Sequence, residues 1–188
     1  MFENFLLETK RLTINPFTLE DARDFYNVVN NPEVLRYIPE GKVSFEKFME
    51  TFTRLLDRYG VNTPEKITRF SLAVREKESG RLAGWVGLGQ LEINPEEIEI
   101  YYGMGRESWG RGYATEAAGE LLRYGFENLK LEKIVAIVLP DNPASIRVVE
   151  KIGLKFVRDI TGLPEEQKFF EGIKYFALTR PEFSRMTG

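Results

Sequence analysis

The chain has no cysteine and no histidine among its 188 residues. Without cysteine there can be no disulfide, no thiolate nucleophile and no thiolate metal site. Without histidine, the commonest general base and the commonest zinc ligand are both missing. Acid–base chemistry must then use Glu, Asp, Lys, Tyr, Ser or ordered water, and no metal site is expected. No apolar run reaches the length of a membrane span. The opening "MFENFLLETKRL" has an early acidic residue, no basic lead and too short an apolar stretch for a signal peptide. A cytoplasmic protein is expected. No basic cluster marks a nucleic-acid face. The net charge of −3 is more at ease with a cationic partner.

What is present reads as one globular domain over residues 1–188, with 43% apolar and 29% charged residues. Neither linker, repeat nor low-complexity tract interrupts it. "RLTINPF" (11–17) alternates as a strand does. A helix is expected over 18–31, capped by Thr18 with Asp21 three residues on and ended by Pro32. A second follows over 44–60, where Phe45, Phe48, Phe52, Leu55, Leu56 and Tyr59 keep the three-four spacing of a core stripe. Strands are expected over 67–76, 82–93 and 96–105. Glycines in "LAGWVGLGQLEI" suggest close backbone approach or a bulge. A small-residue helix spans 113–129, and 133–140 looks like a central buried strand. Asn142 can cap a helix with Pro143 at its first position and Gly153 at its end. "LKFVRDI" and "KFFEGIKYFALTR" supply the last strands. The order implies one α/β domain built on a mixed sheet.

"RESWGRGYATEA" (106–117) joins a strand to a helix through two glycines. The first N–H groups of a helix lack internal partners, and its aligned dipoles leave partial positive charge there. An anion, above all a phosphate, fits such a place. Gly110 and Gly112 remove two Cβ atoms and permit positive φ. The P-loop pattern is not met, because Tyr113-Ala114 stands where Lys-Ser/Thr is needed. The Rossmann pattern is not met either, because Thr115 takes its third small position and three strands come first. A plain strand-to-helix turn remains the alternative at this point.

The neighbouring segments carry a resemblance. "LAGWVGLG", "IEIYYGMGRESWGRGYATEAAGELLRYGFENL", "KIVAIVLPDN" and "PDNPASIRVVEKIGLKF" closely resemble the GNAT superfamily of N-acetyltransferases. The branch resembled is the ribosomal-protein N-terminal acetyltransferases. The match runs over about residues 67–160, and "LETKRLTINPFTLED" looks like the family's first strand and helix.

That resemblance implies a mixed, mostly antiparallel sheet of six or seven strands flanked by helices and splayed between strands four and five. It implies acetyl-coenzyme A as co-substrate, with its pyrophosphate on the amides of Trp109, Gly110, Arg111, Gly112, Tyr113, Ala114 and Thr115. Tyr102, Gly103 and Met104 would pair with the pantetheine, helped by a bulge at Gly103 and Gly105. Asn142 and Ser145 would also touch the cofactor.

The implied reaction is direct attack of a primary amine on the thioester. The backbone N–H of Met104 would hold the oxyanion. Glu99 would take the amine proton, directly or through water, unless it only binds the acceptor or lies on the surface. Val149 stands where many relatives carry an acidic tyrosine, so Ser145 would serve the leaving sulfur, unless it only caps its helix. Two further departures are Glu107 ahead of the phosphate turn and Leu154 after Gly153. The branch points to the α-amine of a protein or peptide as acceptor. Polyamines, amino acids and aminoglycosides stay open, as do a non-catalytic coenzyme A binder and a nucleotide-binding domain. A monomer or homodimer is expected.

Overall fold

The alternating segments become strands and the three-four stripes become helices. The computed structural model describes residues 5–37 and 41–188. The domain expected over 1–188 and the reading of the opening "MFENFLLETKRL" also take in residues outside that set. A two-residue strand, β1 (Leu7–Glu8), precedes β2 (Leu12–Pro16). A 3-10 turn (Leu19–Asp21) leads into α1 (Ala22–Val29), and the Thr18 and Asp21 capping box forms as expected. Pro32 does not end α1. The helix stops at Val29, and Pro32 takes the first position of a short α2 (Pro32–Leu35) capped by Asn31. A proline needs no N–H there and arrives with a helical φ.

Helix α3 (Phe45–Asp57) buries Phe48 and Phe52 against Phe17 and Phe25. The aromatic stripe is therefore core. Strands β3 (Arg69–Glu76), β4 (Leu82–Leu91) and β5 (Asn94–Met104) follow, then α4 (Tyr113–Glu127) and β6 (Lys133–Val138). Helix α5 (Pro143–Lys151), β7 (Lys155–Asp159), β8 (Lys174–Thr179) and α6 (Arg180–Thr187) complete the chain. The strand expected to begin at 168 begins six residues later, because Glu165–Phe170 winds as a 3-10 helix. Helix α6 had no counterpart in the sequence reading. Its signal is Thr179 with Glu182 three residues on, a capping box with Pro181 inside it.

All eight strands join one sheet in the order β1-β2-β3-β4-β5-β6-β8-β7. Every neighbouring pair is antiparallel except β5 with β6. The count exceeds the expected six or seven, and β1 shifts the strand numbers by one. One face of β3–β5 packs Leu72, Val86 and Ile100 against α4, whose Ala117, Ala118 and Leu121 are wholly buried. The other face carries α1 and α3 through Ala73 and Trp85.

The parallel pair is short. Strands β5 and β6 align only at Ile98 with Ile134 and Glu99 with Val135. Beyond those residues β5 runs on to Met104 beside β4, while β6 leads away to α5. This is the expected splay, which falls between β5 and β6.

Candidate active site

The register of β3, β4 and β5 lines up three rows across one face. They are Arg69-Gly89-Glu99, Ser71-Gly87-Tyr101 and Ala73-Trp85-Gly103. Each row contains a glycine overlaid by a neighbour's side chain. A Cβ on Gly89 would meet Arg69 Cγ at 2.7 Å, one on Gly87 would strike the Tyr101 ring, and one on Gly103 would strike the Trp85 ring. Gly103 therefore admits an indole and makes no bulge: its pairing with Trp85 is regular, and the register shift in this pair of strands lies at Gln90/Leu91.

Glu99 sits where β5 and β6 part and is 9% exposed. Burial pushes its carboxyl up to about 7. The Arg69 charge and the backbone N–H of Ile137 pull the other way, and Glu92 adds to the rise. Beside it, the Tyr101 hydroxyl donates to Phe70 O at 2.8 Å and lies 3.1 Å from Ser71 Oγ. A carboxyl with a pKa near neutrality, at the closed end of a strand gap, can accept a proton at physiological pH.

The open edge of β5 follows from strand geometry. Gly105 donates its N–H to Ala83 O at 2.9 Å, on the β4 side. Backbone groups alternate sides along a strand, so the N–H groups of Met104 and Tyr102 point into the gap that β6 has left. Trp109 Nε1 donates to Met104 O at 2.7 Å and ties this strand end to the glycine turn.

In that turn Gly110 has φ +74° and Gly112 has φ +78°, both left-handed. Among the described residues, the N–H groups of residues 110–115 make no hydrogen bond of good geometry. Six neighbouring donors without partners stand at the start of the 15-residue α4, an arrangement that suits an anion. Arg11, just before β2, braces it: Nη1 donates to Arg111 O at 2.9 Å, and the guanidinium pairs with Glu116 at 2.6 Å. Arg111 reaches Glu76 at 3.4 Å. Glu107 points away and pairs with Arg81. The departure at that position leaves the turn undisturbed.

Across the gap stands the start of α5. Asn142 Oδ1 accepts the Ser145 N–H at 3.1 Å. Asn142 is thus the cap, and the Ser145 hydroxyl is not needed for capping. The Ser145 Oγ lies 2.9 Å from Tyr102 Oη, and Tyr102 also donates to Ser145 O at 3.1 Å. Burial raises the Tyr102 phenol to about 12, so it stays protonated at neutral pH. Val149 is fully buried in the core and holds no place in the gap.

The structure therefore gathers Tyr102, Gly103, Met104, the turn 109–115, Asn142 and Ser145 around the splay, with Glu99 at its closed end. Two side chains were missed. Tyr102 was read only for its backbone, yet period-two alternation already sets it on the face opposite Glu99, toward α4 and α5. Arg69 was not singled out, because its approach to Glu99 depends on registers that no single segment shows. A cavity of about 260 Å³ between α1 and residues 105–108, lined by Asp24, Asn27, Arg81, Arg106 and Ser108, includes neither Glu99 nor Ser145 in its wall. Among the described residues, no group of three metal-ligating side chains comes together, and no helix is long and apolar enough to cross a membrane.

Comparison with known proteins places this geometry. Residues 11–155 match the family described as the acetyltransferase (GNAT) domain. The uncharacterized N-acetyltransferase p20 of Bacillus licheniformis is 34% identical over 152 residues, covering 79% of this chain and 82% of that protein. A spermidine N(1)-acetyltransferase of Escherichia coli is 30% identical over 140 residues, covering 74% and 70%. The crystal structure of a GNAT-family acetyltransferase from Bacillus anthracis superposes with a TM-score of 0.77 at 25% identity, covering 95% of this chain and 100% of that one.

Proposed function

Because the chain belongs to the GNAT superfamily and is an acetyl-CoA-dependent N-acetyltransferase, we propose that it acts as one domain on a primary amine that attacks the thioester directly. The acceptor in this reading is the α-amine of a protein or peptide N-terminus, in keeping with the motifs at 109–117 and 142–153. The observation that carries the reading is the position of Glu99, buried where β5 and β6 part with its carboxyl raised to about 7.

Each residue has one task. The free amides of 110–115 and the bracing of Arg11 suit the pyrophosphate. The open edge at Tyr102–Met104 suits the pantetheine amides, as a neighbouring strand would. Glu99 takes a proton from the ammonium. The freed lone pair forms the C–N bond, and the carbonyl electrons move to oxygen, where the Met104 N–H steadies them. As the C–S bond breaks, the now cationic nitrogen gives up its second proton to water, Ser145 passes its own proton to the sulfur and recovers one from Tyr102, 2.9 Å away, and the phenol is reprotonated from that water. The products are an acetamide and free coenzyme A.

The 30% identity to a spermidine acetyltransferase favours a polyamine as the second reading. Thiol release from acetyl-CoA, measured across peptide N-termini, amino acids, polyamines and aminoglycosides, tests both. Turnover only with polyamines would overturn the α-amine reading. Coenzyme A binding with no turnover on any amine would mark a binding module.

A further inference from the structure

We propose that the amine acceptor carries a carboxylate a few bonds from its reacting nitrogen, and that Arg69 binds this carboxylate. The inference rests on the reading of Glu99 as the residue that receives the amine. Arg69, Gly89 and Glu99 occupy one row across β3, β4 and β5. Their outer Cα atoms are thus about two strand spacings, roughly 10 Å, apart. The glycine between them has no side chain, and Arg69 lies across it, with its Cγ 2.7 Å from where a Cβ on Gly89 would stand.

The guanidinium carbon stops 4.0 Å from the centre of the Tyr101 ring. That ring is itself fixed through its hydroxyl to Phe70 O and Ser71 Oγ. The arginine is half-buried and held toward Glu99, close enough for its charge to act on that carboxyl. Yet among the described residues it makes no ion pair. The other charges felt on this face are Arg58 beside Tyr101 and Glu92 beside Glu99.

A planar guanidinium stacked on an aromatic ring presents its donors edge-on, the geometry that grips a carboxylate with two parallel bonds. With an amine at Glu99 and an anion at Arg69, the two wall charges would each meet their complement. A polyamine would instead set a second ammonium against a fixed cation. A free α-amino acid and a peptide with an acidic first residue share the required chemistry.

The test uses the full chain, acetyl-CoA and matched acceptors: glycine against glycinamide, a peptide beginning with Asp against the same peptide beginning with Asn, and spermidine. The acidic member of at least one pair should exceed its neutral partner by about tenfold or more in kcat/KM, since a charged bidentate contact commonly supplies that much. Which pair shows the gap tells amino acid from peptide. Arg69→Gln should close the gap by raising KM for the acidic acceptor, with KM for acetyl-CoA unchanged. Arg69→Lys, which keeps the charge but loses the fork, should restore part of it. Equal rates within both pairs in the wild-type protein, or spermidine as the best acceptor, would overturn the inference even if Arg69→Gln did not fold. Loss of both members alike in Arg69→Gln would overturn it too. Acetylation without discrimination defeats this inference alone, whereas no acetylation of any amine defeats the proposed function beneath it.

Discussion

The phenol oxygen of Tyr102 lies 2.9 Å from the hydroxyl of Ser145, joining the last residues of β5 to the first turn of α5 across the gap in the sheet. Neither oxygen is needed to hold the helix end, since Asn142 supplies the cap. We predict that Ser145→Ala and Tyr102→Phe each lower kcat with little change in KM for acetyl-CoA, because charge on sulfur appears only in the transition state. Groups that act as one unit are not additive. The double variant should therefore be scarcely slower than the slower single one. Losses that multiply, or that appear only in KM, would separate the pair from the leaving group.

The glycine turn gives a second prediction. Gly112 has φ +78°, and a Cβ there would sit 3.5 Å from Arg11 Nη2. Gly112→Glu forces a side chain into a left-handed position and sets a negative charge beside the free amides. Coenzyme A affinity, measured by calorimetry on variant protein shown to be folded, should fall at least about tenfold. Unchanged affinity would move the pyrophosphate elsewhere.

A third prediction concerns packing. The Trp85 ring lies over Gly103 and makes an edge contact with Phe25 at 5.5 Å. Gly103→Ala must push that ring aside, and overpacking of this kind costs about 1–3 kcal/mol. The melting temperature should drop, and Trp85→Leu in the same chain should recover part of the loss. A variant as stable as the wild type would show that the ring can yield freely.

Most of the fold was legible because each long element carries its own period. Strands 69–76 and 82–91 and helices 113–127 and 143–151 stand within a few residues of their expected places. Short elements escaped because they are fixed by caps and neighbours. Pro32 was read as a stop, although the same proline can start a helix after Asn31. The left-handed backbone of the glycine turn was legible, since Gly110 and Gly112 do adopt positive φ. The row that joins Arg69 to Glu99 was not, because the two are 30 positions apart and meet only through two strand registers.

Glu99 yields the last prediction, in two opposite readouts. Burial raises its carboxyl from an ordinary 4.5 to about 7, more than Arg69 and the Ile137 N–H lower it. The folded protein thus holds this proton more tightly than the unfolded chain does. Stability from this group is full below about 4.5, declines as pH rises toward about 7, and stays low above that. Glu99→Gln keeps the shape and removes the ionisation. The variant should gain stability relative to wild type on going from pH 5 to pH 8, by on the order of a few kcal/mol. Activity should move the other way. The wild-type kcat/KM should climb through pH 7 as the carboxylate forms, and the variant should be about a hundredfold slower at pH 7. That deficit should shrink at higher pH, where free amine needs no base. Thermal melts and pH–rate profiles on the two proteins measure both effects. A deficit constant with pH would make Glu99 an acceptor-binding residue. Equal stability differences at pH 5 and pH 8 would mean that its carboxylate is solvated in the folded state.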